Sequence, residues 1–206
     1  DIFVDRPPRK AKEAPVCVCM PPADGGLGCL EDCLNRCMFI ECDVKTCPCG
    51  SQCSNQAFQR RDEVKELEVH WTQARGYGLR TNVDIPKGTL VHEYRGEVIS
   101  QQTCLDRMST IYKDQTCCYF LNYANGEVID ACQKGTVARF VNHSCDPNCH
   151  IEKWFINGEF GVGLFSSVDI PKGTELTYDY RFDAFGPMQK CFCGATKCRG
   201  KNMGLQ

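Results

Sequence analysis

Apolar and polar positions alternate along this chain in short stretches, most of them long enough for one small strand. Alternation over residues 119–123 and 127–130 predicts a hairpin closed by Ala124-Asn125-Gly126, because Asn-Gly readily takes the left-handed backbone of a tight turn. Residues 151–156 and 159–165 predict a second hairpin around Asn157-Gly158. Strands are also expected over 90–98 and 175–180. The principal helix is predicted over 101–113, with Ser100 as its N-cap. Residues 58–69 turn charged and predict a short strand or helix, while 1–16, interrupted by Pro7, Pro8 and Pro15, read as a linker. The expected fold is mainly β with short helices.

One pattern occurs twice. Gly76-Tyr77-Gly78-Leu79-Arg80-Thr81-Asn82-Val83-Asp84-Ile85-Pro86-Lys87-Gly88-Thr89 matches Gly161-Val162-Gly163-Leu164-Phe165-Ser166-Ser167-Val168-Asp169-Ile170-Pro171-Lys172-Gly173-Thr174. Each copy reads strand, turn, strand, and Ile-Pro-Lys-Gly suits a type I turn. Two distant copies do not make a solenoid; they predict one β domain with two similar halves. Gly76-x-Gly78 lacks the third glycine and following helix of a dinucleotide fingerprint, which argues against a Rossmann fold.

Composition changes the picture through cysteine. The chain has 206 residues, enough for a real core, and a formal charge of −2, which provides no broad basic field for nucleic acid. No apolar run approaches the roughly 20 residues that span a bilayer. Of its 18 cysteines, nine fall between Cys17 and Cys53, with too few apolar residues among them to build a core. Nothing points to the secreted setting that disulfides favour, and clustered Cys-x-Cys and Cys-x3-Cys spacings suit zinc, whose binding energy then becomes folding energy. Two tetrahedral sites need eight ligand positions, met by seven thiolates with one bridging, whereas nine thiolates can hold three metals. Cys191, Cys193 and Cys198 are one ligand short of a third centre, and either Cys145 or Cys149 can complete it.

Those two cysteines belong to the stretch Arg139-Phe140-Val141-Asn142-His143-Ser144-Cys145-Asp146-Pro147-Asn148-Cys149, where polar ligand-fixing groups sit beside a metal-ligating thiol and a turn. His70, His92 and His150 show no metal-like spacing, and the basic residues of 1–12 suit a solvated linker better than a DNA arm.

Asn142-His143-Ser144-Cys145, Glu175-Leu176-Thr177-Tyr178-Asp179-Tyr180, Gly76-Tyr77-Gly78 and the terminal Cys-x-Cys-x4-Cys together resemble a SET-domain protein-lysine methyltransferase. Residues 17–56 resemble the AWS module of histone H3 lysine-36 methyltransferases, and the C-terminal segment resembles a post-SET module. Gly28-Cys29-Leu30-Glu31-Asp32-Cys33-Leu34-Asn35-Arg36 and Thr46-Cys47-Pro48-Cys49-Gly50 resemble the Ash (absent, small or homeotic) type. The resemblance implies small curved sheets around a knot-like active site, flanked by zinc-cysteine modules: AWS at 17–56, SET at 57–182 and post-SET at 183–206.

It also implies roles. S-adenosylmethionine would be held by Arg75, Gly76, Tyr77, Tyr119, Asn142 and His143, with Gln189 and Phe192 closing over it. Tyr180 matches the catalytic tyrosine, with Tyr119 and Tyr178 lining a lysine channel. Cys17, Cys19, Cys29, Cys33, Cys42, Cys47 and Cys53 match two AWS zincs bridged by Cys29, leaving Cys37 and Cys49 over. Cys145 would join Cys191, Cys193 and Cys198 on one post-SET zinc. Tyr178 stands where Tyr or Phe limits methylation and implies mono- and dimethylation of nucleosomal histone H3, in the nucleus on chromatin, with DNA met only through the nucleosome. The 181–190 loop is implied to border the substrate groove and to answer to an activating MRG-type chromodomain partner. Tyr77 departs from the tryptophan common at its position, and Cys117-Cys118 from a histidine. Other readings are a trimethylating, elongation-coupled lysine-36 enzyme and a catalytically silent SET module that binds histone tails; Tyr180, Asn142 and His143 favour an enzyme. A zinc-cluster DNA reader would need a basic face and a recognition helix.

Overall fold

The computed structural model describes residues 2–115, 119–180 and 190–200. Their elements run α1 (Leu34–Cys37), a 3-10 turn (Gly50–Gln52), α2 (Ala57–Arg60), β1 (Leu67–Trp71), β2 (Tyr77–Thr81), β3 (Leu90–Glu93) and β4 (Glu97–Ser100). Then come α3 (Gln101–Ser109), β5 (Phe120–Asn122), β6 (Glu127–Asp130), a 3-10 turn (Val137–Phe140), β7 (Asn142–His143), β8 (Cys149–Ile156), β9 (Glu159–Ser166) and β10 (Thr177–Tyr178). The strands form four small sheets, ordered β1-β2, β10-β7, β3-β9-β8 and β4-β6-β5. This is the mainly β architecture of small sheets with short helices that was expected.

Both hairpins turn on their Asn-Gly pairs, with φ of 53° and 79° at Asn125 and Gly126 and 50° and 99° at Asn157 and Gly158. The Ser100 hydroxyl accepts the Thr103 amide, as an N-cap should. Two expected elements are shorter. The helix ends at Ser109 rather than 113, where the Ser109 and Thr110 hydroxyls turn back onto the Asp106 carbonyl and compete for the helical hydrogen bonds. The single strand expected over 90–98 is two, because the chain leaves β9 for β6 at Tyr94-Arg95-Gly96. A Cβ on Gly96 would lie 2.5 Å from the Asp130 carbonyl oxygen, so only glycine permits that crossing. Of the strand expected over 175–180, Thr177–Tyr178 pairs in a sheet.

The repeated segments meet face to face. Ile85 and Ile170 exchange both backbone hydrogen bonds at 2.8 Å. The Asp169 carboxylate accepts the Lys87 amide at 2.8 Å, and Asp84 accepts that of Lys172 at 2.7 Å. Thr81 N–H reaches the Thr174 carbonyl as Ser166 N–H reaches that of Thr89, each at 3.1 Å. Each turn thus caps the other, which explains why the spacing is the same in both copies. Beneath them Leu79, Ile85, Val91, Leu164, Ile170 and Leu176 pack with Val141, Cys149 and Tyr178 in one buried core. The repeat is therefore the floor of the Asn142 stretch.

The cysteine-rich segment has a core of its own made of sulfur: Cys17, Cys29, Cys33, Cys42, Cys47, Cys49 and Cys53 are buried together, with Cys19 against them. It attaches to the β domain through α2, where Phe58 packs against Trp154, Phe165 and Leu90. The Glu41 carboxylate accepts the Phe58 and Gln59 amides at 2.7 and 3.1 Å and satisfies the first turn of that helix.

Within the 1–16 stretch expected as a linker, residues 2–9 are strapped across the β domain. Val98 and the Ile2–Val4 stretch exchange backbone hydrogen bonds, and Asp5 accepts the Ser100 amide. Arg6 and Arg9 both bridge Glu127 and Glu159. Charge pattern alone cannot reveal this, because the partners lie over a hundred residues away. Burial pushes the Glu159 carboxyl up, but Arg6 and Arg9 outweigh it and hold its pKa below the usual range. The contribution is therefore complete above the unfolded pKa of about 4.3 and is lost as pH falls through the lowered folded value. Arg6→Ala is expected to cost about 2 kcal/mol in urea denaturation at pH 7, with the difference closing in acid. Equal stability of the two proteins at pH 7 would show the strap to be unimportant.

Candidate active site and metal centres

The site forms where β10 lies parallel to β7, pairing Thr177 with Asn142 and Tyr178 with His143. The Ser144 amide extends this pairing to the Tyr178 carbonyl at 3.1 Å. Two segments far apart in sequence are thereby held side by side, one with the Asn-His pair and the other with the two tyrosines.

The Tyr178 and Tyr180 rings lie 4.7 Å apart. Tyr178 is buried, and burial pushes its phenol well above the ordinary pKa, so it stays protonated. The Tyr180 hydroxyl donates to the Val141 carbonyl at 2.6 Å, which leaves its oxygen lone pairs as acceptors. Tyr180 also donates its backbone amide to His143 Nδ1 at 3.1 Å. That bond places the imidazole hydrogen on Nε2, 3.4 Å from the Cys145 sulfur. Burial lowers the His143 pKa, with Asp179 opposing, so the ring is neutral near pH 7.

On the other side of β7, Asn142 Nδ2 donates to the Tyr77 carbonyl at 3.2 Å and to Glu175 Oε1 at 3.0 Å. The second Glu175 oxygen takes Arg75 at 2.7 Å. Gly76, at φ 71°, turns the chain between Arg75 and Tyr77 in a conformation that suits glycine. A Cβ on Gly78 would lie 2.7 Å from Glu175 Oε1 and 3.0 Å from Asn142 Nδ2, so the glycine keeps this cradle open. Tyr119 joins through Phe140, its ring 5.8 Å away, with the Arg139 guanidinium over both.

The sulfurs fit zinc. Metal–sulfur bonds of about 2.3 Å in a tetrahedron separate neighbouring sulfurs by about 3.8 Å. Cys17–Cys29, Cys29–Cys47, Cys33–Cys42 and Cys17–Cys42 stand at 3.6, 3.5, 3.8 and 4.0 Å. Two four-sulfur groups emerge, Cys17, Cys19, Cys29, Cys33 and Cys17, Cys29, Cys42, Cys47, which share Cys17 and Cys29. Asn35 and Asn55 donate side-chain N–H to Cys42, and the Asn55 amide to Cys53, the polarised support that thiolate ligands need. Cys145, Cys191, Cys193 and Cys198 make another group, with Cys145–Cys191 at 3.8 Å. Cys149 instead packs in the domain core. Of the two cysteines left over, Cys37 is exposed while Cys49 is buried among the sulfurs.

Residues 76–181 match the SET domain and residues 24–61 the AWS domain. This chain belongs to the SET-domain family. It is similar to the histone-lysine N-methyltransferase ASHH2 of Arabidopsis thaliana, 49% identical over 91% of this chain and 11% of that protein. It also resembles human SETD2, at 44% over 89% of this chain and 7% of the relative, and Drosophila melanogaster ash1, at 42% over 95% and 9%. Both are named histone-lysine N-methyltransferases. The chain spans about a tenth of the length of these relatives. Its fold is shared with a chain of the Chaetomium thermophilum Polycomb Repressive Complex 2 bound to GSK126, at a TM-score of 0.71 and 28% identity over 80% of this chain and 24% of that one.

The structure joins Arg75, Tyr77, Asn142, His143, Tyr178 and Tyr180 into one neighbourhood. Phe192 is half exposed beneath Lys190, while Gln189, Cys117, Cys118 and 181–189 of the loop lie outside the described residues. Sequence reading missed Glu175, although it opens the quoted tyrosine motif. Phe140, given no role by the sequence, has a ring that bridges Tyr77 and Tyr119.

Proposed function

We propose that this chain is an S-adenosylmethionine-dependent protein-lysine N-methyltransferase module that mono- and dimethylates lysine 36 of histone H3 in nucleosomes, on chromatin in the nucleus. The β7–β10 pairing carries the reading, since it sets a tyrosine pair suited to an amine beside an Asn-His cradle suited to a cofactor. The relatives' names support the reaction and, with the histone-lysine N-methyltransferase of human cells named as H3 lysine-36 specific, at 42% identity, the substrate. Module boundaries at 17–56, 57–182 and 183–206 accompany it.

S-adenosylmethionine supplies an electrophilic methyl group. The chain's part is positioning, which contributes most in an in-line displacement. Arg75, Gly76, Tyr77, Tyr119, Asn142 and His143 would hold the cofactor, with Gln189 and Phe192 over it. The substrate amine must be neutral, at a cost of about 4.6 kcal/mol from a pKa near 10.4 to pH 7. The buried Tyr178 wall lowers that cost by excluding water from the ammonium form. Tyr180 oxygen, its hydrogen committed to Val141, accepts an amine N–H and turns the nitrogen lone pair towards the methyl.

The metals assigned are two zincs in the 17–56 module, on Cys17, Cys19, Cys29, Cys33, Cys42, Cys47 and Cys53, and one on Cys145, Cys191, Cys193 and Cys198. Metal analysis of the purified chain should return three equivalents; four would place a third zinc in the AWS module. An MRG-type chromodomain partner acting on the 181–190 loop is the proposed activator. Loop substitutions that leave both basal and partner-stimulated rates unchanged would remove it.

The deciding experiment is mass spectrometry of recombinant nucleosomes after exhaustive reaction. Mono- and dimethyl lysine 36 are expected, and no transfer at all would favour a silent histone-binding module. Tyr178→Phe should add trimethyl product, because a hydroxyl there can hold a water in the space a further methyl needs, and its loss frees that space. Dominant trimethylation by the unaltered protein would refute the assignment of degree.

A further inference from the structure

The strap does more than cross the surface. β4 is an edge of the β4-β6-β5 sheet, and Phe3 bridges its Val98 in parallel. Val4 N–H reaches the Val98 carbonyl at 3.0 Å, and Val98 N–H the Ile2 carbonyl at 2.6 Å. The Phe3 ring packs against a buried cluster that contains Tyr94, Val98, Tyr123 and Ile129. The Arg6 guanidinium lies over that ring, 4.4 Å from its centroid. Arg6 and Arg9 both hold Glu159, the carboxylate that also meets the Tyr123 hydroxyl at 3.2 Å.

Tyr94 links this cluster to the tyrosine pair. Its amide is fixed to the Val162 carbonyl at 2.7 Å, just ahead of the crossing at Gly96. Burial raises the phenols of Tyr94 and Tyr178 well above their ordinary pKa, and Tyr180 adds to both, so the three rings are neighbours. Ile151 packs against the Tyr94 cluster and the Tyr178 cluster alike. A cavity of about 580 Å³ adjoins the strap, and Phe3, Phe58, Tyr94, Val98, Tyr123 and Phe160 are in its lining. Removing the Phe3 ring enlarges a space that Tyr94 already borders, and close-packed interiors pass such a change on to the next layer.

We infer that residues 2–9 are a positioning element for methyl transfer, in which the Phe3 ring holds Tyr94 against the Tyr178–Tyr180 pair and keeps the amine site in shape. The inference rests on the methyltransferase reading. Phe3 acts through Tyr94 and is a positioning residue. An in-line displacement tolerates little misplacement, and a shift of about 1 Å can cost about 10²-fold in rate. The cradle of Arg75, Glu175 and Asn142 lies outside the Phe3 cluster, so cofactor affinity should not follow the rate.

Kinetics of the purified chain on nucleosomes, run well below the melting temperature, test this. Phe3→Ala should lower kcat about 10-fold, with KM for nucleosome and cofactor, S-adenosylhomocysteine affinity by calorimetry and zinc content all unchanged. Phe3→Leu, which refills most of the space, should recover most of the rate. A strap that contributes stability alone would lower the melting temperature and leave kcat of the folded variant untouched, and that result overturns the inference. So does a loss of rate matched by lost cofactor affinity or lost zinc, which would mean general damage. If Phe3→Ala does not fold, Arg6→Ala decides by the same split, since it keeps the ring and removes the cation over it. A lower kcat at unchanged KM then supports the inference, and an unchanged kcat overturns it. Failure of the unaltered protein to transfer methyl groups would instead bring down the methyltransferase reading, and this inference with it.

Discussion

Tyr180→Phe is expected to reduce methyl transfer to nucleosomes by about 10²- to 10⁴-fold while the protein keeps its fold and its metal. The reason lies in one oxygen. The Tyr180 hydroxyl donates to the Val141 carbonyl at 2.6 Å, so its lone pairs face away from that carbonyl and can receive an amine N–H. Phenylalanine preserves the ring contacts with Tyr178 and His143, at 4.7 and 5.4 Å, and removes the hydroxyl, both this acceptor and the donor to Val141. The backbone bond from Tyr180 to His143 Nδ1 is also kept. Stability should fall by about 1 kcal/mol, the usual cost of one hydrogen bond. Single-turnover rates alongside calorimetric cofactor affinity provide the check. A variant that retains near-normal rates would mean that the hydroxyl only packs the strand. One that loses cofactor affinity along with rate would move Tyr180 from the chemistry to the cradle.

Cys145→Ser should remove one zinc equivalent and weaken cofactor binding about 10- to 100-fold at the same time. Cys145 belongs to the sulfur group formed with Cys191, Cys193 and Cys198, and it lies two residues from His143. The His143 Nε2 hydrogen is directed at its sulfur, which fixes the ring on which the cradle depends. The C-terminal segment is tied back at the same point. Arg199 donates its amide to Cys145 sulfur at 3.5 Å and its guanidinium to Asp179 at 2.6 Å, within the tyrosine motif. Losing the metal releases the segment that carries Phe192 and frees the imidazole. Zinc content and S-adenosylhomocysteine affinity, measured on the same preparation, decide the matter. Undiminished affinity with one zinc lost would show the metal centre and the cradle to be independent.

These two positions also separate what local spacing conveys from what it does not. Cysteine spacing alone points to metal, because thiolate ligands must cluster and little else in 17–56 can build a core. Spacing does not choose between Cys145 and Cys149. β8 makes that choice: Cys149 begins the strand and packs in the domain core, while Cys145 sits in the preceding turn facing the C-terminal thiols. Arg6 and Arg9 look like linker charges for a similar reason, since the carboxylates that hold them come from β6 and β9.

By itself the sequence determined what depends on near neighbours: the two Asn-Gly hairpins, the Ser100 cap, the sulfur-built module and the family motifs. Backbone preference and metal-ligand spacing act over a few residues, and they hold at those positions. Tertiary structure decided whatever depended on two distant segments meeting. It ended β3 ahead of Gly96 by moving the chain to another sheet, turned residues 2–9 into a strap, and brought Glu175 between Arg75 and Asn142. It also laid β10 beside β7 through a two-residue parallel pair, too short to leave a pattern in either strand. The candidate site is made at that contact, and the contact is held by the packing of Leu79, Leu164, Ile170 and Leu176 beneath it.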